Sequence, residues 1–194
     1  GWGYMRGRQI MMLGGFSGSR ACDRRLRALI DAGYLERRKI LYGVPGLYQV
    51  THKGKMLIGA SPKKTKIRVE QIAHDVLAID TAIYLIHLYG VPLSAITTEK
   101  QMHQEDGFSN RKHRPDFVIT SGNKTVCVEV ELSPKSKPKF LNNLKSNYET
   151  DDRQIWVVPK GSNRTERLIQ QTVYTDISII RDAEIMQYIN ENKE

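Results

Sequence analysis

The stretch RPDFVITSGNKTVCVEVELSPK, residues 114–135, constrains the fold more than any other part of the chain. It reads as two short strands joined by a turn, with Asp116 on the first and Glu129 and Glu131 on the second. Side chains alternate along a strand, so Glu129 and Glu131 share one side of the sheet. Like charges on one face repel unless something cationic sits between them. A metal ion satisfies that requirement, and a solvated edge face is the alternative.

The segments around this pair predict a mixed sheet flanked by helices. KIRVEQIAHDVLAIDTAIYLIHL carries apolar residues at helical spacing and predicts one long helix. PLSAITTEK predicts a strand and QMHQEDGFSNRKH a polar loop. After the acidic strand come a helix from about 138 to 148, the strand QIWVV, the helix SNRTERLIQQTV, the strand DISIIR and the terminal helix DAEIMQYINEN. The order α-β-β-β-α-β-α-β-α places residues 69–194 in one domain of α/β (α+β) class.

Residues 1–60 form a separate pattern, set off by the basic linker SPKKTKIR at 61–68. RGRQIMML is a short helix and GGFSGS a turn. Ser19 then caps a helix running to Ala32, which Gly33 closes. Cys22, Leu26, Leu29 and Ile30 make its apolar stripe, and arginines occupy its other faces. YLERRKILY and LYQVT predict two strands around the turn GVPG, and HKGKMLIG a short closing helix. Helix, turn, basic helix and hairpin is the order of a winged helix-turn-helix, whose second helix enters the major groove of duplex DNA. Another helix ordinarily precedes this pair, and only GWGY stands before Met5. That helix is therefore expected to be absent or supplied differently, with Trp2 and Tyr4 partly unburied.

Charge supports the same assignment. Residues 1–68 hold 15 Lys or Arg against three Asp or Glu, a balance of +12, whereas residues 69–194 balance at −3. So basic a segment points to a polyanionic partner, here double-stranded DNA. Arg20 and Arg24 are the candidates for base edges. Arg27, Arg37, Arg38, Lys39 and Lys53 are the candidates for phosphates. No membrane partner is expected, since Asp80 and His87 interrupt the most apolar run and no signal peptide is evident. Cys22 and Cys127 stand alone in helix and strand patterns, which predicts two buried thiols in a reducing cytoplasm.

Pro115-Asp116 opening one strand, with Glu129-Val130-Glu131 on the next, resembles the PD-(D/E)xK (restriction endonuclease-like) superfamily. The resemblance implies that Asp116 and Glu129 bind a divalent metal, Mg²⁺ or Mn²⁺, and that residue 131 should be a Lys. Glu131 stands there instead. Two rescues are open: Lys145 reaches in from the following helix, or Glu131 becomes an extra ligand. Glu70 and Glu99 are further acidic candidates, as in some relatives. A third alternative keeps the scaffold and loses catalysis.

Over nearly the whole chain, GYMRGRQIMMLGGFSGSRACDRRLRALIDAGYLERR, AHDVLAIDTAIYL, RPDFVI, VCVEVEL and KFLNNLKSNY resemble the replication-relaxation family of plasmids and mobile elements. That resemblance implies a role in replication, relaxation or mobilisation, with DNA and other replication or mobilisation proteins as partners. His74, Lys145 and Tyr148 recur in its pattern. His74 is expected to be a buried, hydrogen-bonded core residue, and His113 is the better candidate for a phosphate neighbour. The competing functions are a metal-dependent endodeoxyribonuclease and a transcriptional regulator whose rear domain serves only to form a homodimer.

Overall fold

The computed structural model describes residues 2–40, 42, 45–61, 67–107, 112–133 and 135–192. Gly43 and Val44 of the turn GVPG, residues 62–66 of the linker and residues 108–111 of the polar loop lie outside them. The chain is mixed α and β and divides into two compact units, Trp2–Ile79 and Asp80–Glu191.

The first unit begins with a two-residue strand, β1 (Met5–Arg6), then α1 (Gly7–Leu13) and α2 (Ser19–Asp31). Gly18, not Ser19, holds the N-cap position, and Gly33 follows the helix at φ +75°. Strands β2 (Leu35–Arg38) and β3 (Leu47–Val50) pair antiparallel, with Arg37 opposite Tyr48. Strand β1 pairs with the other edge of β3, giving the order β1-β3-β2. Helix α3 (His52–Leu57) is capped by the Thr51 hydroxyl, which accepts the Gly54 N–H at 3.1 Å.

The long helix α4 (Ile72–Tyr89) follows a 3-10 turn at Val69–Gln71. Its first turns belong to the first unit because Ile72 and Val76 bury against Tyr4 and Leu47. Gln9, almost fully buried, ties the same elements together. Its amide donates to the Val76 carbonyl at 3.0 Å and its oxygen accepts the Arg6 N–H at 2.8 Å. The Tyr4 hydroxyl donates to Asp75 at 2.6 Å. Tyr4 is therefore buried, contrary to expectation, because α4 covers it; Trp2 is partly buried. The division between the two compact units accordingly falls inside α4, between Ile79 and Asp80.

In the second unit the remaining elements form a five-stranded sheet in the order β4-β5-β6-β7-β8. Strand β4 (Ile96–Thr98) is short, and α5 (Glu99–Asp106) takes up the first six of the thirteen residues that the sequence pattern made a polar loop. Thr98 and Gln101 cap that helix reciprocally, the Thr98 N–H donating to Gln101 at 3.1 Å. Strands β5 (Phe117–Ser121) and β6 (Lys124–Val130) form a two-residue hairpin in which Gly122 supplies a φ of +60°. Helices α6 (Lys137–Thr150) and α7 (Asn163–Gln170) then carry the chain across to the parallel strands β7 (Arg153–Val158) and β8 (Ile177–Arg181). Ile155 to Val158 are fully buried, as befits a parallel strand with both faces covered. Helix α8 (Asp182–Glu191) closes the unit.

Among the described residues one helical span, Val69–Tyr89, has the length and mean hydropathy, 1.2, of a membrane crossing, and 56% of it is buried inside the protein. Both cysteines are free and buried.

Candidate functional site

In the first unit, α2 turns Cys22 and Leu26 inward and leaves Arg20, Arg24, Arg25 and Arg27 exposed. Arg20, Arg24 and Arg27 stand at i, i+4 and i+7, one row along the side opposite the buried stripe. Arg37 and Lys39 are exposed on and after β2. The other nominated cations are already engaged. Arg38 pairs with Glu36 at 2.8 Å, and the Lys53 ammonium donates to the Ala32 carbonyl at 2.9 Å, 4.8 Å from the centre of the Tyr34 ring. Lys53 thus closes the C-terminal end of α2, where orphan carbonyls favour a cation. His74 lies at 3.3 Å from Asp75 and is only half-buried. Glu70 is exposed in the 3-10 turn of this unit.

The second unit gathers the acidic residues at the hairpin. Asp116 directly precedes β5, and its carboxylate accepts the Val130 N–H at 2.7 Å, which holds it against the end of β6. Glu129 and Glu131 are 3% and 4% exposed, so the solvated-edge alternative fails. The cation between them is Lys135, which the sequence pattern did not single out. Its ammonium lies 2.5 Å from Glu131 and 3.9 Å from Glu129, and its backbone N–H donates to Glu131 at 2.7 Å. Burial pushes the Lys135 pKa down, but Glu129, Glu131 and Asp116 together outweigh burial and hold it above the ordinary lysine value.

Glu129 has two further partners. His113 Nε2 stands 2.5 Å from its Oε1, and the Asn147 amide of α6 donates to the same oxygen at 3.1 Å. Glu99, the first residue of α5, completes the cluster. Burial and the charges of Asp116 and Glu129 raise its pKa, against an opposing pull from His103, 3.5 Å away. The structure therefore brings together Asp116, Glu129, Glu131, Glu99 and His113. Lys145 is not brought to them: it is exposed on α6 with its ammonium 3.6 Å from Glu149. Tyr148 is also exposed, its ring centre 4.7 Å from that of Tyr174. Among the described residues no three His, Cys, Asp or Glu side chains gather closely enough to hold an ion by themselves. Asp116 and Glu129 nonetheless suit Mg²⁺ in kind. Their oxygens are hard donors, and that ion takes one or two carboxylates while keeping several waters.

A signal for Lys135 did exist in the sequence. It stands four residues beyond Glu131, just past the strand, where a chain reversal returns a long side chain to the strand's end. No family model matches this chain, and no curated protein matches it either.

Proposed function

We propose that the protein binds double-stranded DNA through a winged helix-turn-helix in its first unit and acts in the cytoplasm on a plasmid or other mobile element. The observation carrying this reading is the exposed row Arg20, Arg24 and Arg27 on α2, followed by a basic two-stranded hairpin. Such a row on a recognition helix meets base edges near its N-terminus and phosphates further along. Ile72 and Val76 at the start of α4 pack with Tyr4 and Leu47, which supports the reading by giving the unit a further helix against its strands. Fluorescence anisotropy with labelled duplexes tests the reading. Arg24→Ala weakens binding to the preferred site by about 1–3 kcal/mol while sparing unrelated duplexes, if Arg24 reads a base. Equal loss on every sequence reassigns it to phosphate, and no binding at low salt rejects the proposal.

A second reading, a PD-(D/E)xK-like nuclease, is favoured by the electrostatics around Glu99. Burial and the neighbouring Asp116 and Glu129 charges raise the Glu99 pKa, and a divalent cation beside those carboxylates would relieve the repulsion. Asp116 and Glu129 would hold Mg²⁺ or Mn²⁺, which when bound polarises a phosphoryl oxygen. The Lys135 ammonium is the charge that offsets negative charge developing on the phosphate, supplied from beyond the strand instead of from position 131. Incubating supercoiled plasmid with either ion distinguishes this reading from a DNA-binding protein without catalysis. Nicking by the native chain that disappears in Asp116→Ala supports it, and equal cutting by both chains overturns it.

A further inference from the structure

The first unit contains a cavity of about 410 Å³ that shares only Arg37 with the nominated DNA contacts. Three arginines, Arg6, Arg8 and Arg37, line it, together with Met11, Cys22 and Tyr48. It opens between the start of α1, the first turn of α2 and the base of the β2–β3 hairpin. Arg6 Nε is itself buried with no hydrogen-bond acceptor among the described residues, although its N–H is a strong donor. Two glycines let Tyr48 and Arg37 of its wall lie close against the backbone. A Cβ on Gly7 would sit 3.2 Å from the Tyr48 ring, and one on Gly46 would meet Arg37 Nε at 2.8 Å.

A backbone phosphate resting on a helix end needs no cavity of this size. The volume lies within the roughly 300–1,000 Å³ of small-ligand sites. The lining is divided in the way a nucleotide is divided: guanidinium donors for an anion, and an apolar and aromatic wall for a flat ring. Asp23, the lone carboxylate among the described lining residues, is an acceptor suited to the exocyclic amine of a base. We infer that the cavity seats one nucleotide, its phosphate on Arg6, Arg8 and Arg37 and its base against Met11 and Tyr48. Stacking on aromatic and guanidinium planes is how proteins hold unpaired bases.

Two sources supply that chemistry: a free mononucleotide, or one unpaired nucleotide of a bound strand. The second rests on the DNA-binding proposal and the first does not. Calorimetric titration of the full chain with AMP, with dAMP and with inorganic phosphate tests the free source. Anisotropy with a paired duplex and with the same duplex carrying one unpaired adenine tests the strand source. Arg6→Gln and Met11→Trp are the variants, the first removing a donor and the second filling the space, with circular dichroism checking that each still folds. Binding of AMP or dAMP that Arg6→Gln weakens about tenfold supports the site with a free ligand. Tighter binding of the unpaired probe, reduced to that of the paired duplex by Met11→Trp, supports it with a strand ligand. The inference is overturned if phosphate binds as tightly as AMP with no preference for the unpaired probe. It is overturned equally if neither nucleotide binds and the probes are indistinguishable, or if Met11→Trp folds and binds unchanged. Loss of all duplex binding would reject the proposed function while leaving the nucleotide titration to decide the cavity.

Discussion

Lys135 is the cation that faces both buried carboxylates of the second unit. Glu129 and Glu131 are both buried, and an ion taken out of water is tolerated only with a well-placed partner. Replacing the ammonium by a neutral chain of similar length leaves two carboxylates facing one another. Lys135→Met therefore destabilises the protein by about 2–4 kcal/mol in urea unfolding, and adding Glu131→Leu to it recovers most of the loss. The pH dependence follows from the direction of the shift. A lysine whose folded pKa lies above its unfolded value stabilises fully below the ordinary value of about 10.4, and loses that contribution only as pH rises through the folded value. The deficit of Lys135→Met is therefore flat from about pH 7 to 9 and shrinks in stronger alkali. A deficit that disappears near neutrality would mean that Lys135 is not the partner of these carboxylates. Asp116, Glu129, Glu131 and His113 were legible in the sequence because strand alternation and hairpin pairing fix their positions. Lys135 was marked only by its spacing from Glu131, because its place depends on how a loop turns back, and no periodicity encodes that.

At the scale of elements, the docking of α4 on the β1–β3 edge explains why Tyr4 is buried and where the first unit ends. Asp75 is the polar anchor of that contact. Burial raises its pKa, but hydrogen bonds from His74 and Tyr4 outweigh burial and hold the carboxyl below its ordinary value. A depressed aspartate stabilises above its unfolded pKa of about 3.9 and loses that contribution as pH falls through the folded value. Tyr4→Phe should cost about 1 kcal/mol at neutral pH, below the usual range for a bond to a charged group because Asp75 is partly solvated. Urea midpoints of the two chains should converge below the folded pKa of Asp75, and a gap that persists in acid would assign the loss to packing instead. The sequence showed the long helix plainly, since its apolar spacing is strong, but not its partner. A two-residue strand such as β1 is too short to show alternation. Helix α5 escaped for a related reason: all its side chains are exposed or half-buried, so EKQMHQED carries no apolar stripe, and only Thr98 and Gln101 mark its start.

Across the whole molecule the charge is divided as sharply as the contacts are. The balance of +12 over residues 1–68 stands against −3 over the rest, so a polyanion is attracted to one part of the chain and repelled by the acidic cluster of the other unless cations intervene. Of the seven cations nominated for DNA, Arg38 and Lys53 already have partners within the fold. Arg20, Arg24, Arg27, Arg37 and Lys39 remain exposed. Each phosphate neutralised on B-DNA releases counterions and steepens the logarithmic salt dependence by about 0.9. The three phosphate candidates among them, Arg27, Arg37 and Lys39, give a slope near −2.7, so that raising monovalent salt from about 50 to 200 mM weakens non-specific duplex binding roughly 40-fold. Anisotropy titrations at several salt concentrations measure that slope directly. A slope about one unit shallower in Arg27→Ala, with Lys53→Ala unchanged, would place Arg27 on a phosphate and keep Lys53 at the end of α2. A slope near zero in the native chain would mean that the basic segment faces no phosphate at all, and the assignment of duplex DNA as its partner would fall with it.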